Sequence, residues 1–173
     1  MLKRTTSAMF LVLILFVFST TPSNAQVTEA PANVAAALVV KILGFEKNIG
    51  GSGDITIYVL GAADVESELK KGVGKPIGGA VLKEVTSGNG LPGTKPSVLF
   101  IGDAAKQAEV TRYCQANKVL SITSIPDLVS KGITLGFGVG DDGKPKILLN
   151  LTSSVEEGLD WNPAIMKVAQ TIK

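Results

Sequence analysis

The stretch SVLFIGDAAKQAEVTRYCQA, residues 97–116, contains a strand and a helix in direct succession. Its first five residues form an apolar run, as expected of a strand that is buried on both faces of a sheet. Asp103 follows this run and can cap a helix that extends to about Ala116. Strands of this kind lie in parallel sheets covered by helices on both faces, so the stretch favours an α/β fold.

The sequence on either side repeats this alternation of strands and helices. Strands are predicted at 55–60, 80–85 and 119–122, and helices at 34–43, 64–71 and 163–172. The sequence GDDG at 140–143 separates two further strands and strongly indicates a hairpin. Together these elements predict a single three-layer α/β domain, with a mostly parallel sheet, an antiparallel C-terminal hairpin and helices on both faces.

The composition argues against most classes of enzyme. The 173 residues include no histidine and a single cysteine, Cys114, and the net charge is +2. Nucleophilic systems that depend on histidine and zinc sites built on histidine are therefore excluded. We predict that Cys114 is a buried thiol, with pairing between chains as the alternative. The sequence thus predicts a non-enzymatic protein without catalytic, cofactor-binding or metal-binding residues, and the small net charge does not favour a nucleic-acid partner.

The N-terminal 25 residues have the pattern of a secretory signal peptide. Lys3 and Arg4 precede an apolar run at 8–18. This run is too short for a spanning helix, which needs about 20 apolar residues. Small residues then predict cleavage between Ala25 and Gln26.

The signal peptide sets the expected domain organisation and location. We expect residues 1–25 to be removed, residues 26–32 to form a flexible leader, and residues 33–173 to form the folded domain. No second apolar run is long enough to cross a membrane, so the mature chain is predicted to be a soluble protein of the periplasm.

The C-terminal part of the sequence contains several polar residues that could belong to a site. Glu156 and Glu157 with Asp160 form an acidic cluster, which we interpret as a solvated helix end rather than a catalytic pair. Asn150 is predicted to end a strand and to bond neighbouring backbone with its amide. Trp161 is predicted to pack at the start of a helix, with an exposed anchor for a partner as the alternative.

The sequence KILLNLTSSVEEGLDWNPAIMKVA, residues 146–169, resembles the YfiR-like family of bacterial periplasmic proteins. With the order of the preceding elements, the resemblance extends from about Val34 to Ile172. It implies a small secreted α/β domain that regulates a membrane signalling protein, since the protein after which the family is named represses an inner-membrane diguanylate cyclase. Phe45 and the residues after it lack the Trp-Pro sequence common in the family, and the single cysteine excludes the family's intrachain disulfides.

Two hypotheses for function follow from these observations. The first is a periplasmic regulator that binds a membrane sensor or cyclase, of the diguanylate cyclase or histidine kinase type. The first predicted helix is apolar on every side and needs a second cover besides the sheet, which could be this chain, a second copy or the membrane partner. The candidate interface residues are Val39, Leu43, Phe45 and Trp161.

The alternative is a periplasmic module that binds a small molecule. In open parallel sheets, ligands bind outside the carboxyl ends of the strands. The pocket would then lie near Gly61 and Gly102, which follow two of the predicted strands.

Overall fold

The computed structural model describes residues 27–172. The predicted signal peptide and its cleavage site between Ala25 and Gln26 lie outside the described residues. Within the described range, the strands are Thr28–Glu29 (β1), Gly53–Leu60 (β2), Pro76–Ile77 (β3), Ala80–Gly88 (β4), Val98–Ile101 (β5), Leu120–Thr123 (β6), Leu135–Val139 (β7), Pro145–Asn150 (β8) and Gln170–Ile172 (β9). The α-helices are Ala32–Leu43 (α1), Lys47–Gly50 (α2), Ala63–Lys70 (α3), Gln107–Asn117 (α4) and Leu151–Glu156 (α5). Three 3-10 helices lie at Ala104–Lys106, Pro126–Leu128 and Pro163–Lys167.

All nine strands belong to one sheet with the order β3-β4-β2-β5-β6-β7-β8-β9, and β1 pairs with β7. The five central strands run parallel to one another, in the order β4, β2, β5, β6 and β7. The predicted hairpin at 140–143 is present and makes β7 and β8 antiparallel. The structure therefore confirms the predicted α/β class with a mostly parallel sheet.

Helices cover both faces of this sheet, and each face has its own apolar core. One core contains residues of α1 and α3 together with β2, β4 and β7. The other contains Val110 and Cys114 of α4, packed with Leu99 and Ile101 of β5. Every residue of β5 is buried, as the SVLFI sequence predicts for a central strand. Between residues 27 and 172, no helix has the length and apolar character needed to cross a membrane.

The first helix has a different orientation from the one that the candidate interface requires. Val39 and Leu43 have no exposed surface, because they belong to the core between α1 and the sheet. The exposed positions of α1 include Ala37 and Lys41, and α3 packs beside the helix. The apolar sides of α1 are thus covered by other parts of this chain. Val39 and Leu43 are therefore not part of an exposed interface.

Both ends of the described chain form strands that the sequence did not predict. Thr28–Glu29, expected in a flexible leader, pairs antiparallel with Val139 and Gly138 of β7. The expected helix at 163–172 is a 3-10 helix that ends at Lys167, and Gln170–Ile172 then pairs in parallel with β8. In both cases a neighbouring strand offers hydrogen bonds that local sequence cannot reveal, and tertiary pairing overrides the local pattern.

Candidate functional site

A cleft of about 380 Å³ lies at the amino ends of β2, β5 and β6. It is bounded by the loops that enter these strands, by α2 and by the chain that follows α5. We call it the amino-edge cleft, and its lining residues are Glu46, Asn48, Ile49, Ser52, Asp54, Lys95, Pro96, Ser97, Lys118, Glu157, Gly158 and Leu159. Its position is opposite to the one expected for a ligand pocket in a parallel sheet.

The carboxyl edge of the sheet has a smaller concavity of about 250 Å³. Gly61 lines it, but Gly102 does not. A Cβ at Gly102 would lie 2.6 Å from Cβ of Ala62 and 2.7 Å from the carbonyl oxygen of Gly61, so the backbone is already closely packed there. This packing leaves no pocket between the two glycines, and the larger cleft is at the other edge.

Glu157 lies in the wall of the amino-edge cleft, with no exposed surface. Its carboxylate accepts hydrogen bonds from the backbone N–H of Ser121 at 3.0 Å and from the hydroxyl of Thr134 at 2.7 Å. The hydroxyl of Ser121 donates a third, short hydrogen bond. We call Glu157, Ser121 and Thr134 the carboxylate clasp, because they join the end of α5 to β6 and to the residue before β7.

Burial opposes ionisation of this carboxyl group. Loss of hydration raises the pKa of Glu157 to about 7, although the hydrogen bonds from Ser121 and Thr134 act in the opposite direction. The neighbouring charge of Glu156 also raises this pKa. The acidic cluster is therefore not the solvated helix end that its sequence indicated: Glu156 is exposed, whereas Glu157 points into the protein.

Glu46 is a second buried carboxylate in the lining of the cleft. One oxygen accepts from the backbone N–H of Ile49 at 2.6 Å and thereby caps α2. The other accepts from the backbone N–H of Asp160 at 2.7 Å and from the amide of Asn48 at 3.3 Å. Glu46 thus joins the chain after α1 to the residues 158–162, which we call the C-terminal strap.

The C-terminal strap brings together two of the candidate interface residues. Glu46 and Trp161 form an antiparallel bridge, and the backbone N–H of Asn162 donates to the carbonyl oxygen of Phe45 at 2.7 Å. Phe45 and Trp161 are both half-buried, and the indole N–H of Trp161 donates to Oγ of Ser154 at 2.7 Å. Phe45 and Trp161 therefore remain candidates for the interface, whereas Val39 and Leu43 do not.

Two other residues behave as the sequence predicts. Cys114 is a free, buried thiol of α4, and burial raises its pKa, which disfavours the reactive thiolate. Asn150 caps α5 by accepting from the backbone N–H of Ser153 at 3.0 Å. Its amide donates to the carbonyl oxygen of Val129 at 2.8 Å. Both residues therefore have structural roles.

Sequence reasoning missed Glu46 and misread Glu157 because each depends on partners far away in the chain. One signal was available. Ser121 and Thr123 are polar residues in the otherwise apolar strand LSIT, and both are fully buried. Buried hydroxyls need partners. The hydroxyl of Thr123 bonds backbone groups of Ile101 and Ile125, so the signal is Ser121, whose buried hydroxyl bonds Glu157.

Residues 32–170 match the family described as YfiR/HmsC-like. The chain belongs to the YfiR/HmsC-like family. This match includes both buried glutamates, the clasp and the C-terminal strap, so the whole site lies within the family domain. No curated protein matches the chain.

Two solved structures are similar to this YfiR/HmsC-like chain in fold. A conserved domain protein from Vibrio cholerae O1 biovar El Tor has a TM-score of 0.56 and 17% identity. An ABC domain from Streptococcus pneumonia, solved in complex with L-Trp, has a TM-score of 0.50 and 13% identity. Each match covers 83% of this chain and 60% of the other. At these identities the similarity concerns the fold alone.

Proposed function

We propose that this chain is a non-enzymatic regulator that acts in the periplasm by binding a membrane signalling protein of the diguanylate cyclase or histidine kinase type. The observation that carries the proposal is the family match over residues 32–170. The signal-peptide pattern, with cleavage between Ala25 and Gln26, supports export. Fold by itself would not specify this function.

The surface that we assign to the partner contains Phe45 and Trp161. Aromatic side chains are enriched at binding surfaces, and both of these residues keep part of their area exposed. The hydrogen bonds of Glu46 and Asn162 hold the two segments together, so the surface is ordered before a partner arrives. Ordered surfaces bind with a smaller entropic cost.

The test uses cells that express the full chain with a C-terminal tag together with a membrane diguanylate cyclase of the same organism. We expect the cyclase to co-purify from detergent extracts and cyclic di-GMP to rise when the chain is deleted. Phe45→Ala and Trp161→Ala should reduce capture, whereas Val155→Ala, a change at an exposed residue of α5, should leave it unchanged. If both aromatic variants still capture the cyclase, the surface that contains Phe45 and Trp161 is not the binding site. An unchanged cyclic di-GMP level after deletion would contradict a cyclase partner.

Binding of a small molecule is the second candidate function, favoured by the amino-edge cleft. Its volume of about 380 Å³ lies within the range of roughly 300–1,000 Å³ found for ligand pockets. Lys95 and Lys118 contribute positive charge, and Ile49, Pro96 and Leu159 contribute apolar surface. Mass spectrometry of small molecules released from the purified chain tests this candidate. A released compound should raise the melting temperature when it is added back, and Lys95→Ala should weaken that effect.

A further inference from the structure

Asn89 and Gly90 lie in the loop that follows β4. Both residues are exposed, and they form the one Asn-Gly pair of the sequence. The ladder between β4 and β2 ends at Gly88, and Asn89 then lines the concavity of about 250 Å³ at the carboxyl edge of the sheet. The pair therefore begins a loop at a place where water reaches it.

The two groups of this pair that can react with each other are not engaged in hydrogen bonds. Among the described residues, neither the side-chain amide of Asn89 nor the backbone N–H of Gly90 has a hydrogen-bond partner. The hydroxyl of Tyr58 donates to the carbonyl oxygen of Gly90 at 2.7 Å and so fixes the next peptide group instead. A Cβ built on Gly90 would meet nothing within 4 Å, so the space around this residue is open.

The other asparagines of the described chain lack this combination. The residue after Asn33 is a branched valine in the first turn of α1. The residue after Asn162 is a proline, whose nitrogen carries no hydrogen. The side-chain amides of the remaining three donate hydrogen bonds, and these residues are Asn48, Asn117 and Asn150.

The hairpin turn at 140–143 contains a similar pair with an acid in place of the amide. The backbone N–H of Gly143 donates to the carbonyl oxygen of Gly140 at 2.8 Å. The carboxylate of Asp142 accepts from the backbone N–H of Lys144 at 3.1 Å, and this bond lowers the pKa of Asp142. An ionised carboxylate is a poor electrophile, and a bonded N–H is less available to react. The turn is therefore an internal control for the pair at 89–90.

We propose that Asn89 is a site of spontaneous modification, at which the folded chain converts its side-chain amide to a carboxyl group. A base removes the proton of the Gly90 nitrogen, and this nitrogen attacks Cγ of Asn89. The N–Cγ bond forms and the Cγ–Nδ2 bond breaks, so that Nδ2 takes a proton from water and leaves as ammonia. A second water then opens the five-membered succinimide at either carbonyl group and gives aspartate or isoaspartate. No oxidant or reductant takes part.

The modification changes the charge at the carboxyl edge of the sheet. It adds a second carboxyl group to a concavity that Glu66 and the first residue of α3 already line. The N-cap residue Ala62 gives α3 no side-chain hydrogen bond, and negative charge near the N-terminus of a helix is favourable. Isoaspartate also adds one carbon to the main chain directly after β4. This edge therefore becomes more negative with the age of the protein, independently of the proposed partner.

The test incubates the purified chain at physiological temperature, at about pH 6 and at about pH 8. Digestion at acidic pH then prevents conversion during the preparation of peptides. The peptide that contains Asn89 should gain about 1 Da, because an NH₂ group is replaced by OH. The gain should be faster at the higher pH, because the attacking nitrogen must lose its proton. Peptides that contain Asn117 or Asn150 should keep their mass, and enzymatic methylation of isoaspartate detects the second product.

Gly90→Ala tests the chemistry without disturbing the fold. A Cβ at this position has open space and the φ of Gly90 is not positive, but the added methyl group hinders the approach of the nitrogen to Cγ. The conversion should therefore slow by at least about tenfold. Gly93→Ala, in the same loop and with equally open space, is the matched control and should keep the wild-type rate.

Asn89→Asp provides a marker for the product. The unmodified variant should elute from an anion-exchange column together with the aged wild-type chain, since both carry one more negative charge. A chain that gains no mass at Asn89, or a Gly90→Ala variant that converts at the wild-type rate, overturns the proposal. Equal conversion at Asn117 or Asn150 contradicts the part that the exposed, unbonded loop plays in it.

Discussion

Glu46 and Glu157 line the same cleft and are equally buried, but the groups that bond them differ in kind. Glu46 accepts from two backbone N–H groups and the Asn48 amide, all of which can only donate. Glu157 accepts from one backbone N–H and two hydroxyls, which can donate or accept. The first arrangement suits an acceptor that joins two chain segments. The second suits a carboxyl group that changes its protonation state.

The largest expected effect comes from removing Glu46, the acceptor that joins two chain segments. Glu46→Ala leaves the N–H groups of Ile49 and Asp160 and the amide of Asn48 without their partner. We expect the free energy of unfolding to fall by about 3 kcal/mol, because each buried donor without an acceptor is costly. Urea unfolding measures this loss. Glu84→Ala, at an exposed position of β4, is the control and should change stability by less than about 0.5 kcal/mol.

The next effect is a dependence of stability on pH, which should come from Glu157. Its pKa is raised in the folded state, so the folded chain binds more protons than the unfolded chain between the two pKa values. The stabilisation is complete below the unfolded value, near 4.3, and is lost as the pH rises through about 7. We expect the free energy of unfolding to fall by about 2 kcal/mol between about pH 5.5 and pH 8.

Urea unfolding at these two pH values measures this difference. In Glu157→Gln the difference should nearly vanish, since the amide remains neutral and can both accept from the N–H of Ser121 and donate to its hydroxyl. Glu46→Ala should retain it. If Glu157→Gln keeps the full pH dependence, Glu157 is not the group that causes it.

The sequence predicts the central architecture because the local pattern and the tertiary environment agree there. The apolar residues of β5 are buried on both faces, and GDDG at 140–143 forms the hairpin turn. The two ends are different. Thr28–Glu29 and Gln170–Ile172 become strands only because β7 and β8 offer them partners. The helical spacing of apolar residues near the C terminus cannot show that β8 offers a strand edge for pairing.

The site is less predictable from sequence than the fold because its two acids depend on distant residues. Glu157 bonds Ser121, which lies 36 residues earlier. Glu46 bonds the N–H of Asp160, which lies 114 residues later. Acidic residues at a helix end are usually solvated, and only the buried Ser121 in a central strand indicates otherwise. Val39 and Leu43 failed as interface candidates for a similar reason, since periodicity shows two apolar sides but not what covers each.

A smaller effect on stability is expected at the N-terminal end of α5, opposite to the end that carries Glu157. Asn150 caps this helix and bonds the carbonyl oxygen of Val129. Asn150→Ala should lower the free energy of unfolding by about 1 kcal/mol, as is typical for loss of a cap. The loss should be similar at both pH values, because the cap does not titrate. Thr152→Ala, at an exposed position of the same helix, is the control. An equal loss of stability in that variant would show that the cap at Asn150 has no specific effect.

The smallest effect concerns a second contact at the junction that Glu46 stabilises. Lys47 and Asp160 form an ion pair at 2.8 Å, but their side chains are 54% and 59% exposed. An exposed pair gains little from its charges, because water screens the attraction and two long side chains must be ordered. Lys47→Ala should therefore lower the free energy of unfolding by less than about 0.5 kcal/mol, with less effect still at high salt. The backbone bond from Lys47 to the carbonyl oxygen of Asp160 remains in this variant. A loss as large as that of Glu46→Ala would show that the surface ion pair, rather than the buried carboxylate, fixes the C-terminal strap.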